Sequence, residues 1–114
     1  MYDYKSKVTR VIDGDTIEAL VDLGFDTWKQ VTIRFDGIDA WETRTRDHEE
    51  KVKGLAAKAR LIELLDSADN VFLLQSHGVG KFGRCLGELF VEGQSINKTL
   101  IEEGHAKAYD GGKR

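Results

Sequence analysis

The stretch Gln30–Glu42, QVTIRFDGIDAWE, holds a strand and its end in thirteen residues. Val31, Ile33 and Phe35 alternate with Thr32, Arg34 and Asp36, the period of two expected of a strand with one apolar face. Arg34 therefore points away from that face. The alternation stops at Asp36-Gly37, and Asp39 and Glu42 follow. An arginine and two carboxylates are gathered where a strand gives way to a loop, where side chains more often serve binding and chemistry than packing.

Upstream, KVTRVIDGDTIEALVDL (Lys7–Leu23) has β-branched alternation on both sides of Asp13-Gly14, a turn dipeptide, and predicts a hairpin. DLGFDTWK (Asp22–Lys29) reads as a long hairpin loop leading into the next strand. Downstream, EEKVKGLAAKARLIELLDSA (Glu49–Ala68) carries the strongest helical signal. Val52, Leu55, Ala56, Ala59, Ile62 and Leu65 recur at spacings of three and four and are expected to face the core. NVFLLQS (Asn70–Ser76) and RCLGELFVEG (Arg84–Gly93) read as strands around the turn HGVGKFG. A second helix is expected from Ile96 to about Glu103, with Ser95 as N-cap and Gly104 at its C-terminal end. The order β-β-β-α-β-β-α predicts a mainly β, α+β fold: a five-stranded OB-type barrel with two packed helices.

The chain has 114 residues, enough for one domain, 1–114, and for a core that removes roughly 65% of the unfolded surface from water. Hydrophobic content of 40% and charged content of 32% suit a globular protein in water. No apolar run approaches a membrane span. MYDYKSKV (Met1–Val8) contains no signal-type apolar segment, so an intracellular location is expected, although a mature exported chain would read the same. Cys85 is the sole cysteine, which excludes an internal disulfide, and His48, His77 and His105 have no zinc-ligand spacing. A net charge of −3 disfavours a general nucleic-acid coat protein. The charge is uneven, however: residues 1–26 hold three basic and six acidic side chains, and 27–60 hold eight and six. A local basic surface is compatible with that distribution.

Three segments place charges where apolar alternation stops: DGDT (Asp13–Thr16), the stretch from Arg34 to Glu42, and KFGR (Lys81–Arg84). Alone, each has a plain structural reading as a turn, a strand end or a hairpin tip. An EF-hand reading of DGDT fails, because Ile17, Glu18 and Gly24 stand where that loop needs an oxygen ligand, glycine and glutamate. Together the segments say more. Asp15 and Asp39 could offer a hard cation its oxygen ligands, Glu42 could orient and deprotonate a water, and Arg34 and Arg84 could grip one phosphate. Phosphodiester cleavage needs those roles.

These motifs resemble the staphylococcal nuclease-like (thermonuclease) domain family: VIDGDTI at 11–17, IRFDGIDAWET at 33–43, KFGRCLGELFV at 81–91 and INKTLIEEGHAKAY at 96–109, in family order over nearly the whole chain. The resemblance implies an OB-fold barrel and calcium-dependent hydrolysis of DNA or RNA, single-stranded by preference, with 3′-phosphate and 5′-hydroxyl products. It implies Asp15, Asp39 and the Ala40 carbonyl as Ca²⁺ ligands, Glu42 as general base, and Arg34 and Arg84 on the scissile phosphate. Lys81 and Phe82 fall where the family contacts a neighbouring nucleotide. Trp41 stands in place of the family's proline and Phe82 in place of its tyrosine. Neither a membrane association nor an obligate protein partner is expected. The alternative is a non-catalytic OB-type module that binds nucleic acid or protein, with Trp28, Trp41 and Phe82 as stacking platforms.

Overall fold

A computed structural model of the chain describes residues 3–41, 43, 46–79 and 84–108. Its elements are β1 (Asp3–Asp13), β2 (Thr16–Asp22), β3 (Trp28–Phe35), β4 (Ile38–Ala40), α1 (His48–Asp66), β5 (Val71–Val79), β6 (Cys85–Val91), β7 (Gln94–Ser95), α2 (Ile96–Glu102) and β8 (Ala106–Ala108). The sheet runs β3-β2-β1-β5-β6-β7, and an added β3–β6 pairing joins its two sides into a closed five-stranded barrel. The predicted OB-type barrel with two helices is therefore the observed fold. The short strands β4 and β8 pair with each other beside it.

Closure is parallel, matching Ile33 with Cys85, Arg34 with Leu86 and Phe35 with Gly87. Closing a small sheet requires strands to bend, and β1 does so with register breaks between Val8 and Arg10 and between Val11 and Asp13. Gly87 is needed at the junction, since a Cβ there would lie 2.5 Å from Leu74 Cδ1 and 3.1 Å from the Gln75 carbonyl oxygen. Asn97, at the start of α2 and 3% exposed, locks the seam. Its Nδ2 donates to the carbonyls of Asp36 (2.9 Å) and Gly87 (3.2 Å), and its Oδ1 accepts from the Leu89 amide (3.2 Å).

The inward positions of the strands build the core, with Ile17, Ile33, Phe35, Leu74 and Leu89 completely or almost completely buried. From outside the barrel, Ile38, Leu61, Leu65 and Leu100 complete the same apolar cluster. Helix α1 starts at Asp47, whose carboxylate accepts from the Glu49 and Glu50 amides, and α2 starts at Ser95, which accepts from the Lys98 amide. Arg60 joins the helices: Nε and Nη2 donate to the two Glu103 oxygens at 2.6 and 2.8 Å. These bonds hold the Glu103 carboxyl below the usual carboxylate range.

The stripe expected to face the core is one point of correction. Val52, Leu55 and Ile62 are each about half exposed, and Ala56 and Ala59 are exposed too. The buried face is Gly54, Ala57, Leu61 and Leu65, so of the expected six only Leu65 turns inward. Close approach explains the choice. A Cβ on Gly14 would meet Ala57 Cβ at 2.8 Å and Ala40 Cβ at 3.2 Å, so only small side chains fit where α1 lies on the β1–β2 turn. Periodicity finds apolar stripes without saying which one the neighbouring element can approach.

Asn97→Ala leaves the Leu89 amide and the Asp36 carbonyl without their side-chain partner in a buried seam. The expected cost is ~1–3 kcal/mol, read as a lower urea midpoint at unchanged slope. An unaltered midpoint would mean that the seam does not depend on this side chain.

Candidate active site

The alternation of β3 sets the first element of the site. Ile33 and Phe35 point into the core, so Arg34 between them points out, and its cross-strand partner on β2 is Thr16. Thr16 follows Asp15, which closes the β1–β2 turn, and the Asp15 carbonyl accepts from the Phe35 amide at 2.8 Å. Turn and strand end are thus fastened together, and their side chains meet. Arg34 Nη1 is 3.3 Å from Asp15 Oδ2 and Nη2 is 3.6 Å from Asp39 Oδ1. Nη1 also donates to the Phe35 carbonyl at 2.9 Å, which fixes the guanidinium plane.

Asp15 is mostly buried and well tethered. Its Oδ1 accepts from the Thr16 hydroxyl at 3.0 Å and its Oδ2 from the Ala40 amide at 2.9 Å. Asp39 precedes Ala40 on β4, and pairing of Ala40 with Ala106 and of Asp39 with Lys107 on β8 holds that segment. Two carboxylates facing one guanidinium leave a formal charge of −1, which favours a cation. Among the described residues no group of three or more His, Cys, Asp or Glu side chains could hold a metal. The oxygen donors that meet here are two carboxylates, and the Ala40 backbone group facing Asp15 is its amide N–H. That set fits a hard cation completing its shell with backbone oxygen and water, as both Ca²⁺ and Mg²⁺ do.

Arg84 stands one residue before β6, whose first residue Cys85 pairs across the parallel ladder with Ile33, so Arg84 enters the strand beside the one that carries Arg34. Arg84 is half-buried and has interaction partners of its own. Glu42, Lys81 and Phe82 lie outside the described residues. Trp41 is half-buried, with Lys53 Nζ 4.6 Å and Lys107 Nζ 5.1 Å from its ring centroid. The indole is thereby engaged with α1 and β8, and it lines a pocket of about 310 Å³ with Ala56 and His105.

Two features escaped the sequence reading. Asp13 Oδ1 accepts from the Thr43 hydroxyl at 2.6 Å and from its amide at 3.4 Å, which ties the segment after β4 to the end of β1. Thirty residues separate the pair, and an aspartate in an Asp-Gly turn carries no local sign of such a role. His77, which the sequence marks only by its lack of zinc-ligand spacing, has its Nδ1 2.8 Å from Asp36 Oδ2 and its Nε2 3.1 Å from Gln75 Oε1. That link spans from β5 to the end of β3, again through residues distant in the chain.

Asp13→Ala removes the anchor of Thr43. Amide exchange at Thr43 is expected to accelerate about tenfold or more, while exchange in β2 and β3 stays as it was, because the opening is local. Unchanged protection at Thr43 would show that Asp13 does not hold this segment.

The family model described as staphylococcal nuclease homologue matches residues 32–114. The chain is 31% identical over 114 residues to endonuclease YhcR of Bacillus subtilis, covering 94% of this chain and 9% of that protein. Endonuclease YncB of the same organism is 31% identical over 99 residues, covering 86% and 44%. Micrococcal nuclease of Shigella flexneri is 28% identical over 116 residues, covering 94% and 59%. The chain thus spans less than two thirds of each of these relatives. With a matched stretch that runs from the middle of β3 past β8, the chain belongs to the staphylococcal nuclease homologue family.

Proposed function

We propose that this domain is a metal-dependent nuclease that hydrolyses phosphodiester bonds of DNA or RNA with little sequence preference. The observation that carries this reading is the meeting of Arg34 with Asp15 and Asp39 at 3.3 and 3.6 Å. A guanidinium that offers a phosphate two parallel donors stands against the carboxylates that would hold a cation. The printed names of the relatives, endonuclease and micrococcal nuclease, support the same reaction class.

Calcium is the proposed ion, with Asp15, Asp39 and the Ala40 carbonyl as its protein ligands. When bound, it supplies a Lewis acid that draws charge from the phosphate oxygens. The remaining work falls to side chains of this chain. Arg34 exchanges its two carboxylates for a phosphate oxygen, and Arg84 approaches the same phosphate from the adjacent strand. Both guanidinium groups neutralise the charge that builds on the equatorial oxygens as phosphorus becomes five-coordinate. Glu42 accepts a proton from water as its oxygen attacks phosphorus. The bond to the 5′ oxygen then breaks, that oxygen takes up a proton, and a 3′-phosphate and a 5′-hydroxyl result.

A single strand is the preferred substrate in this reading, with Lys81 and Phe82 beside the nucleotide next to the scissile phosphate. The tether from Asp13 to Thr43 then serves the reaction by restricting the residue that follows Glu42. Trp41, the residue before Glu42, is held by Lys53 and Lys107. Ordering of a base by both neighbours is a form of preorganisation, which phosphoryl chemistry depends on.

Digestion of single-stranded DNA tests the reading, with calcium, with EGTA, and with Glu42→Gln and Arg84→Ala in parallel. Wild type is expected to cleave only with calcium, and each variant to lose about 100-fold or more in rate. Calcium-independent cleavage would remove the metal from the account. Folded wild type that binds the strand without cutting it would make the site a binding surface.

A further inference from the structure

The outward face of β3 does not end at Arg34. Trp28, Gln30, Thr32 and Arg34 share one side of the strand, because Ile33 and Phe35 occupy the other. Burial falls steadily along this row. Arg34 and Thr32 are partly buried, Gln30 is exposed, and Trp28 is 48% exposed where the β2–β3 hairpin leaves the barrel. The tip carries two more large apolar side chains in the open, Leu23 at 49% and Phe25 at 104%. Three such residues on one hairpin are more than scattered surface hydrophobics, and an exposed apolar cluster marks a contact site.

The tip is built to hold this shape. The Leu23 amide donates to the Thr27 carbonyl at 2.8 Å and the Thr27 amide to the Gly24 carbonyl at 2.9 Å. Asp22 Oδ1 accepts from the Gly24 amide at 2.8 Å. Phe25 and Asp26 both adopt left-handed backbone, with φ of 53° and 60°. An aromatic residue enters that region at a cost, so a well-bonded turn here spends stability to present Phe25 to solvent.

Charge along the row is balanced: Asp22, opposite Trp28, and Asp26 at the tip are acidic, and Lys7, Arg10 and Arg34 are basic, so stacking rather than charge is what the hairpin offers a strand. The β3 side chains between Trp28 and Arg34 on this face are uncharged. On β2, Glu18 lies 3.5 Å from the Arg10 guanidinium and accepts from Gln30 at 3.2 Å, so its charge is already answered. Lys7 on β1 is exposed and stands opposite Leu20, which itself pairs with Gln30. Six residues of strand place Trp28 ~20 Å from Arg34, within the length of nucleic acid that an OB-type barrel engages, ~4–16 nucleotides.

We infer that the β2–β3 hairpin is a second contact for the substrate strand, remote from the reaction. An unpaired DNA or RNA strand whose scissile phosphate lies at Arg34 runs along the outer face of β3, and its bases stack on Trp28 and Phe25. Aromatic stacking accepts any base, which agrees with a nuclease of low sequence preference. The inference rests on the nuclease reading for the position of the scissile phosphate.

The experiment measures binding of fluorescein-labelled oligothymidylates of three and twelve residues by anisotropy, in EGTA so that the strands stay whole. Wild type is compared with Phe25→Ala/Trp28→Ala and with Phe25→Tyr/Trp28→Phe. Affinity for the longer strand is expected to fall about tenfold or more in the alanine variant and to stay within about twofold of wild type in the aromatic one. Affinity for the trimer is expected to be the same in all three. Equal affinity of wild type and the alanine variant for the longer strand would overturn the inference, as would an equal loss for both strands. A change in sedimentation of the alanine variant without nucleic acid would overturn it too, by assigning the hairpin to contact between copies. Cleavage of the trimer with calcium reports the nuclease reading separately, because the trimer does not reach the hairpin.

Discussion

The parallel pairing of β3 with β6 is the constraint on which this molecule depends. Without it the sheet is an open ribbon with two exposed edges, and Arg34 on β3 and Arg84 at the entry to β6 lie on opposite sides of it. With it, residues fifty-two apart in the chain become neighbours across one ladder. Parallel pairs join poorly by local turns, so the contact must be held by tertiary means. Gly87 lets the strands approach and Asn97 satisfies the polar groups exposed where the ladder ends. The same closure fills the barrel with Ile17, Ile33, Phe35, Leu74 and Leu89.

The candidate site grows from that closure. Its charged members sit on rigid pieces: Asp15 in a two-residue turn clamped to the end of β3, Arg34 on β3, and Asp39 on a strand paired with β8. Helix α1 adds a second layer of support by pressing Ala57 on Gly14, the residue before Asp15. The Arg34 guanidinium answers one of the two carboxylate charges around it and leaves the other to favour a cation. A cation and a phosphate arriving together can replace those contacts with better ones. In the proposed reaction the site is thus formed before the nucleic acid arrives.

Much of this could be read from residue order alone, and the exceptions share one cause. The alternation of QVTIRF was sufficient to turn Arg34 outward, and Asp13-Gly14 to mark the tight turn that carries Asp15. Element order supplied the barrel, and motif order the roles proposed for its charged residues. What local pattern could not supply were contacts across long separations. Thr43 with Asp13, His77 with Asp36, and Asn97 with the barrel seam are each a polar side chain answering a group at least thirty residues away or on another element. The stripe on α1 failed for a related reason. Val52, Leu55 and Ile62 are the larger apolar residues, yet where the helix comes closest, against Gly14, it is the small Ala57 that fits. Size complementarity is a property of two elements, and the helix sequence states only one.

The central claim is that Asp15 and Asp39 hold a divalent cation beside Arg34. Thermal unfolding with and without millimolar calcium tests it most directly, in wild type, Asp15→Asn and Asp39→Asn. An ion bound only by the folded state raises the midpoint by mass action, and a well-occupied site is worth ~5 °C or more in a domain of this size. The account predicts that rise in wild type and its loss in both variants. A midpoint that calcium leaves unmoved in wild type, or moves equally in all three proteins, would contradict it.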